Sequence, residues 1–183
     1  MNPPASETFN AGPLGIECDL AVIGAGPAGS AAAFHAARAG LDVVMVDMAD
    51  VPGSVPGTAP SLLPVGRDKT CGDGLTPRAV ASLESMGALH LLDGAPYIRG
   101  LKLHGFGGSI TAPWPSGNFP QRGSAIPRTR LDAALAGIAI AAGARFIQAK
   151  INDATSDPVT QQLSEVAGTR TGEVRACKVH PRL

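Results

Sequence analysis

The sequence predicts an α/β fold of the Rossmann-like type, built on a buried parallel sheet, and three observations lead to that prediction. A short apolar run, LAVI at 20–23, ends directly at a glycine-rich turn, GAGPAG. A stretch of small residues that favours a helix follows and stops at Gly40. A second apolar run, DVVMVD, comes next and ends at Asp47. Strand, turn, helix and strand thus fit within about 30 residues, as a βαβ crossover requires.

The length and composition of the chain limit its domain number and its partners. With 183 residues, it is long enough for one domain with a core but short for two complete domains. The 15 Lys and Arg residues balance the 15 Asp and Glu residues, which argues against nucleic acid as a partner. Cys18, Cys71 and Cys177 are odd in number and widely spaced, which indicates neither a disulfide framework nor a metal site. We therefore expect a single domain, without metal, in the cytoplasm.

Two segments have no predicted part in the core, and no segment is predicted to cross a membrane. Residues 1–17 contain no Lys, no Arg and no apolar run, so we expect a disordered leader, and residues 18–183 form the domain. Four prolines within residues 52–66 oppose both a helix and a strand, which predicts a Pro-rich insertion. The longest nearly apolar stretch, 131–144, is shorter than the roughly 20 residues of a membrane-spanning helix.

The second half of the chain is predicted from capping residues and apolar periodicity. Thr76 and Pro77 are typical of a helix start, and Gly87 is typical of a helix end. The turn Gly105-Phe106-Gly107-Gly108 predicts a hairpin. The predicted elements are helices over 76–86 and 127–142 and strands over 100–104, 109–112, 145–151, 159–166 and 173–179. We expect the last of these strands to be an unpaired sheet edge.

The glycine spacing Gly24-x-Gly26-x-x-Gly29 is typical of a turn that binds the pyrophosphate of a dinucleotide. The first glycine permits the tight turn, the second lets the phosphates approach the backbone, and the third allows close packing of helix on strand. A helix that starts at Pro27 presents unpaired N–H groups and the positive end of its dipole. Asp47 is placed to accept a hydrogen bond from a ribose hydroxyl. The predicted binding residues are Gly24, Gly26, Pro27, Ala28, Gly29 and Asp47.

A tight βα turn with no ligand is the alternative, but it leaves the position of Asp47 unexplained. The motif does not distinguish NAD from FAD, because both bind to it.

Residues further along the chain carry a resemblance that bears on this choice. The segment RDKTCGDGLTPRAV at 67–80 resembles the geranylgeranyl-reductase-like flavoproteins, which are a group within the aromatic-hydroxylase-like flavoenzymes. GAGPAGS, the PWP…FP stretch at 113–120 and PRTRLD at 127–132 extend the resemblance, which covers roughly residues 18–150 and is typical of the actinobacterial menaquinone-reductase-like branch. An NAD-only dehydrogenase is disfavoured because KTCGDGL and PRTRLD have no role in it.

The resemblance implies FAD as the cofactor. It implies that the glycine turn holds the pyrophosphate, that Asp47 holds the adenosine ribose, and that Arg128 also contacts FAD. It further implies that a loop near the isoalloxazine comprises Cys71, Gly72, Asp73, Gly74 and Leu75.

These loop residues and Arg128 each have an alternative interpretation. Gly72 and Gly74 would let the backbone approach a flat ring, but an ordinary glycine turn before a helix uses the same residues. Cys71 lacks a second cysteine nearby and is interpreted as a packed residue. Arg128 is either solvated or bound to an anion, and its place near a helix N-terminus favours the anion.

Trp114, Phe119 and Pro120 are the candidate substrate contacts. They lie in a stretch that is similar to the family's aromatic-proline motif, within the expected start of a substrate domain at about 100–120. The resemblance implies contact with an isoprenoid chain, and the alternative is a Pro-rich loop with its Trp packed on the sheet. A lipid substrate is compatible with peripheral membrane contact, although no basic amphipathic helix supports it.

The implied activity is reduction of a C=C bond in an isoprenoid or isoprenoid quinone by hydride transfer from the flavin. Neither the electron donor nor a catalytic residue is identified from the sequence. An FAD-dependent aromatic monooxygenase is the alternative enzyme.

In the family, a second flavin-contacting Gly-Asp motif lies beyond the equivalent of residue 183. The resemblance therefore implies a truncated form, and we expect the chain alone to bind FAD weakly or not at all. An active reductase, a non-catalytic FAD-binding fragment and a gene remnant all remain open.

Overall fold

The computed structural model of the protein describes residues 16–49, 73–156, 163–170 and 173–179. The strands are β1 (Ile16–Cys18), β2 (Leu20–Ile23), β3 (Val43–Asp47), β4 (Gly74–Leu75), β5 (Gly100–Gly105), β6 (Gly108–Pro113), β7 (Ser124–Ala125), β8 (Arg145–Gln148), β9 (Lys150–Ser156), β10 (Leu163–Arg170) and β11 (Glu173–Val179). The helices are α1 (Pro27–Arg38), α2 (Pro77–Ser85) and α3 (Arg128–Ala141), with a short 3₁₀ helix at Leu89–Leu92. Residues 1–15, the Pro-rich segment 52–66, Cys71 and Gly72 lie outside the described residues.

The predicted βαβ unit is confirmed, and it forms a parallel sheet of order β2-β3-β8. Helix α1 connects β2 to β3, with Pro27 in its first turn and Gly40 just beyond its end at φ +85°. The prediction that β2 is fully buried is wrong. It is half-buried because it lies at the edge of this sheet, and Ile23 is 52% exposed.

The central strand β3 separates two cores because its side chains alternate between the two faces of the sheet. On one face, Val43 and Met45 pack with alanines of α1 and α3. Ala33 and Ala136, one from each helix, are fully buried, and such small side chains allow the helices to lie close to each other and to the sheet. On the other face, Val44 and Val46 pack with residues of a second sheet.

That second sheet has the strand order β1-β11-β10-β9, with β1 parallel to β11 and the other pairs antiparallel. Two predictions change here. Ile16 and Glu17, which were expected to belong to the leader 1–17, form part of β1 instead. The last strand, β11, is not an edge, because it lies between β1 and β10.

The single strand predicted over 145–151 is also two strands. The chain leaves the parallel sheet after β8 and joins the antiparallel sheet as β9, with Ala149 between them. Of the strand predicted over 159–166, residues 163–166 belong to β10, which continues to Arg170, where Arg170 pairs with Glu173; residues 159–162 lie outside the described residues.

Two further parts of the fold agree with the sequence. Helix α2 begins at the Thr76 cap, whose side chain accepts a hydrogen bond from Ala79 N at 3.4 Å. Strands β5 and β6 form the predicted hairpin, with positive φ at both turn residues, Phe106 (49°) and Gly107 (78°).

Candidate functional site

The glycine turn joins β2 to α1 in a conformation that requires glycine at two positions. Gly24 has φ +101°, in the region that favours glycine, and its N–H donates to Val46 O at 2.7 Å. A Cβ atom on Gly29 would overlap the carbonyl oxygen of Gly24 and lie 3.3 Å from Cγ1 of Val22. Gly29 is therefore the close contact between helix and strand, as its position in the motif predicts.

The N-terminus of α1 is open to a ligand in the part of the chain that the structure describes. Its cap, Gly26, has no side chain to accept a hydrogen bond, and Pro27 occupies the first turn. Ser30, which sequence analysis overlooked, is fully buried and donates from Oγ to Ala25 O at 3.1 Å, while its N–H donates to Gly26 O at 2.8 Å. These bonds tie the glycine turn to the first turn of α1.

Asp47 lies at the end of β3 and reaches the glycine turn directly. Its Oδ2 atom accepts a hydrogen bond from Ala25 N at 2.8 Å, and its Oδ1 atom accepts one from Ala49 N at 2.8 Å. The predicted ribose-binding acid is thus fixed in orientation beside the predicted phosphate turn. An ionised carboxylate has further lone pairs, so these two bonds leave acceptor capacity for a hydroxyl group.

A cleft of about 300 Å³ opens beside Asp47, at the carboxyl ends of the parallel strands. Ligands of open α/β sheets bind at this edge. The cleft is lined by Ile23, Gly24, Val46, Asp47, Met48, Ala149, Lys150 and Ile151. Because the turn, the acid and the cleft adjoin, the described residues fit the adenosine and pyrophosphate parts of a dinucleotide.

Asp73 and Arg128, two residues predicted to lie near the flavin, contact each other. Asp73 Oδ1 accepts a hydrogen bond from Arg128 N at 2.9 Å, and Asp73 O accepts one from Ile126 N at 3.0 Å. Gly74 and Leu75 form β4, which pairs with β7 directly before α3. The part of the predicted flavin loop that is described, Asp73–Leu75, is therefore attached to the start of α3.

The side chain of Arg128 forms a two-pronged ion pair with Asp132, one helical turn further along. Arg128 Nε lies 2.7 Å from Asp132 Oδ1, and Arg128 Nη2 lies 3.0 Å from Asp132 Oδ2. The two side chains are only 14% and 9% exposed. The sequence favoured a ligand anion at this arginine, whereas the anion that pairs with it in the structure is the carboxylate of Asp132. Asp132 was overlooked, although its i,i+4 spacing signalled the pair. Contact of Arg128 with FAD stays a prediction.

The side chain of Trp114 is half-buried and is held by contacts with Ile98 and Gly123. Its Nε1 atom donates to Ile98 O at 2.7 Å, and a Cβ atom on Gly123 would lie 2.9 Å from its Cζ2 atom. Phe119 is 48% exposed, and Pro120 is half-buried. The packing of Trp114 is compatible with both interpretations of the aromatic-proline stretch, and substrate contact stays a prediction.

The described residues contain neither a candidate metal site nor a candidate membrane-spanning helix. No cluster of three or more His, Cys, Asp or Glu side chains in these ranges could hold a metal ion. No described helix is long and apolar enough to cross a membrane.

Comparison with known proteins relates this site to a cofactor. The family model described as FAD dependent oxidoreductase matches residues 19–68. A menaquinone reductase of Mycolicibacterium smegmatis is 46% identical over 145 residues, which are 79% of this chain and 32% of that protein. A menaquinone reductase of Mycobacterium tuberculosis is 46% identical over 70% of this chain and 28% of its own length. The chain thus spans about a third of the length of the curated relatives it matches.

Solved structures share the fold at low sequence identity. A geranylgeranyl bacteriochlorophyll reductase-like protein of Thermoplasma acidophilum has a TM-score of 0.66 and 20% identity, over 90% of this chain and 38% of that chain. A myxobacterial chondrochloren halogenase, an FAD-dependent enzyme, has a TM-score of 0.72 and 20% identity, over 90% of this chain and 36% of that chain. These structures support the Rossmann-like flavoprotein fold, and the family match supports FAD as the cofactor.

Proposed function

We propose that this chain, which is similar to the N-terminal third of menaquinone reductases and has the fold of FAD-dependent flavoproteins, forms the FAD-binding part of an oxidoreductase that reduces isoprenoid C=C bonds. One observation carries the proposal: the carboxylate of Asp47 is bonded to Ala25 of the glycine turn, beside a cleft at the carboxyl edge of the parallel sheet. The identity of 46% to menaquinone reductases favours a quinone with an isoprenoid chain as the substrate.

Each part of the site has a separate role in holding FAD. The turn comprising Gly24, Gly26, Pro27, Ala28 and Gly29 holds the pyrophosphate through the N-terminus of α1. Asp47 binds the adenosine ribose through the acceptor capacity that its two backbone bonds leave. Arg128 and the residues Asp73, Gly74 and Leu75 lie at the other candidate contact, near the start of α3.

FAD, when bound, supplies the hydride chemistry, and the protein supplies position and exclusion of water. Trp114, Phe119 and Pro120 would contact the isoprenoid chain. The hydrogen bond from Trp114 Nε1 to Ile98 O fixes the indole ring. The ring would therefore offer the substrate a flat apolar surface, and Trp114 would lose little side-chain freedom when the substrate binds.

Flavin content tests the proposal directly. Residues 1–183 are expressed and purified without added cofactor, and any flavin released on denaturation is identified by chromatography. We expect less than one FAD per chain at this stage, and saturable binding when FAD is added. No binding in a large excess of FAD would contradict the proposal for this chain.

Product analysis separates the two candidate enzymes. The protein is incubated with a menaquinone and a chemical reductant of flavin, without oxygen and then with it. A reductase yields a quinone with one saturated isoprene unit and needs no oxygen. A hydroxylated product that depends on oxygen would instead support a monooxygenase. This chain resembles solved structures of an FAD-dependent halogenase and of a probable FAD-dependent monooxygenase in fold alone.

A further inference from the structure

Two arginines contact the ring of one tyrosine, and none of the three residues lines the cleft beside Asp47. Cζ of Arg122 lies 5.4 Å from the centroid of the Tyr97 ring, and Cζ of Arg99 lies 5.9 Å from it. Both distances are within the range of a cation–π contact. The Tyr97 ring thus contacts two guanidinium groups. None of these three residues belongs to the candidate FAD site.

The backbone explains why these side chains meet. Ile98 and Gly123 form an antiparallel pair, with Ile98 N donating to Gly123 O at 3.0 Å and Gly123 N donating to Ile98 O at 2.8 Å. Arg99 and Arg122 are the next residues beyond this pair and therefore lie opposite each other. Tyr97 is two residues from Arg99, so it lies on the same face. Like charges directly opposite each other are destabilising in such a pair.

No described carboxylate relieves this repulsion. Within residues 16–49, 73–156, 163–170 and 173–179, the ion pairs join Arg128 to Asp132 and Arg145 to Asp42, and neither Arg99 nor Arg122 lies within 4.0 Å of an acidic oxygen. The Nε atom of Arg122 is buried and has no hydrogen-bond partner in the part of the chain that the structure describes. A buried donor without an acceptor costs stability, so the structure holds Arg122 in this place at a cost in free energy.

The surrounding residues hold the site in place. The Tyr97 hydroxyl donates to Gln121 O at 3.1 Å, and Gln121 Nε2 donates to Pro115 O at 2.9 Å. Trp114 Nε1 donates to Ile98 O, between Tyr97 and Arg99. The contact of each guanidinium group with the Tyr97 ring restricts both side chains before a ligand binds, which reduces the entropy cost of binding.

We propose that Arg99, Tyr97 and Arg122 form a binding site for a phosphate group. Two guanidinium groups carry two positive charges, which match a phosphate dianion, whereas a carboxylate needs only one. The phosphate belongs either to a small soluble molecule or to the headgroup of an anionic lipid. The site is separate from the glycine turn and does not depend on the proposed function.

Binding is measured with the full chain and inorganic pyrophosphate as the probe. Trp114 is the sole tryptophan of the sequence and is bonded to Ile98, so its fluorescence reports on the site. We expect Arg99→Gln and Arg122→Gln each to weaken this binding by about tenfold. Each substitution removes one charge-assisted hydrogen bond to the phosphate, and a change of about tenfold in affinity corresponds to such a loss. Arg130→Gln, a matched change at an exposed position of α3, should leave it unchanged.

Pyrophosphate can also bind at the glycine turn, so the same titration is repeated with Gly29→Ala. A response that persists in Gly29→Ala but weakens in the arginine variants supports the proposal. Circular dichroism verifies the fold of each variant, and Arg122→Lys replaces Arg122→Gln if the latter does not fold.

Vesicle flotation distinguishes the two sources of phosphate. Vesicles of phosphatidylcholine alone are compared with vesicles that also contain phosphatidic acid, whose headgroup is a phosphate monoester. Binding to the second kind only, lost in both arginine variants, supports a lipid headgroup. The proposal is overturned if neither probe binds, or if both arginine variants bind as the unchanged protein does.

Discussion

The side chain of Asp73 accepts a hydrogen bond from the backbone N–H of Arg128 at 2.9 Å, although 55 positions of sequence separate the two residues. Helix α3 begins at Arg128, and its cap residue, Pro127, provides no side-chain hydrogen bond. Asp73, the residue before β4, therefore caps α3 from a distant part of the sequence and places a negative charge at the positive end of the helix dipole. The bond also ties the predicted flavin loop to the helix that carries Arg128.

Removal of this distant cap should destabilise the protein. We expect Asp73→Ala to lower the free energy of unfolding by about 1 kcal/mol, since the N–H of Arg128 loses its acceptor. Urea unfolding measures the change. Asp93→Ala, at an exposed aspartate just beyond the 3₁₀ helix, is the matched control. Equal stability of the two variants would show that the Asp73 bond does not contribute.

The glycine turn offers a comparison of two identical substitutions. Gly29→Ala places a methyl group against the carbonyl of Gly24, so we expect a loss of about 1–3 kcal/mol of stability and weaker FAD binding. Gly137→Ala adds a methyl group where nothing lies within 4 Å, in the interior of α3, and should stabilise the protein by about 0.5–1 kcal/mol. Thermal unfolding and FAD titration are recorded for both. A Gly29→Ala variant that resembles Gly137→Ala would refute the close contact.

Asp47 should affect both stability and cofactor affinity. Asp47→Ala leaves the N–H groups of Ala25 and Ala49 without their acceptor, which we expect to cost about 1–3 kcal/mol. The same variant should bind FAD at least about tenfold more weakly, because a hydrogen bond to the ribose is lost. Fluorescence quenching of added FAD measures the affinity, with Glu84→Ala, on the exposed face of α2, as the control. A variant that is less stable but binds FAD normally would assign Asp47 a purely structural role.

The ion pair between Arg128 and Asp132 can be measured with a double-mutant cycle. Arg128→Ala removes a largely buried partner of Asp132, so we expect a loss of about 3 kcal/mol. Asp132→Ala should cost a similar amount, and the double variant should lose less than both single losses combined. Additive losses, measured by urea unfolding, would mean that the pair contributes nothing specific.

The local parts of the fold were predictable, and the long-range parts were not. The glycine turn, the Thr76 cap and the hairpin turn at Phe106 each depend on residues close together in sequence, and the structure confirms them. The change of sheet at Ala149 could not be predicted, because the residues of β8 and β9 have the sequence pattern of one continuous strand.

The same distinction holds within the candidate site. Asp47 was identified because its position relative to the glycines is fixed by the motif. The capping role of Asp73 was missed because it joins distant segments, and so was the meeting of Arg99 with Arg122. The pairing of β11 between β1 and β10 was also missed, since it joins residue 16 to residue 177.

That last pairing sets an order of events during synthesis on the ribosome. The parallel sheet and its helices use residues up to 148, whereas the antiparallel sheet cannot bring β1 to β10 until β11 has been translated. The antiparallel sheet covers the face of β3 that carries Val44 and Val46. This face therefore stays exposed to solvent until β10 and β11 have left the ribosome. A nascent chain in this state exposes apolar surface and unpaired strands, which makes it a substrate for chaperones.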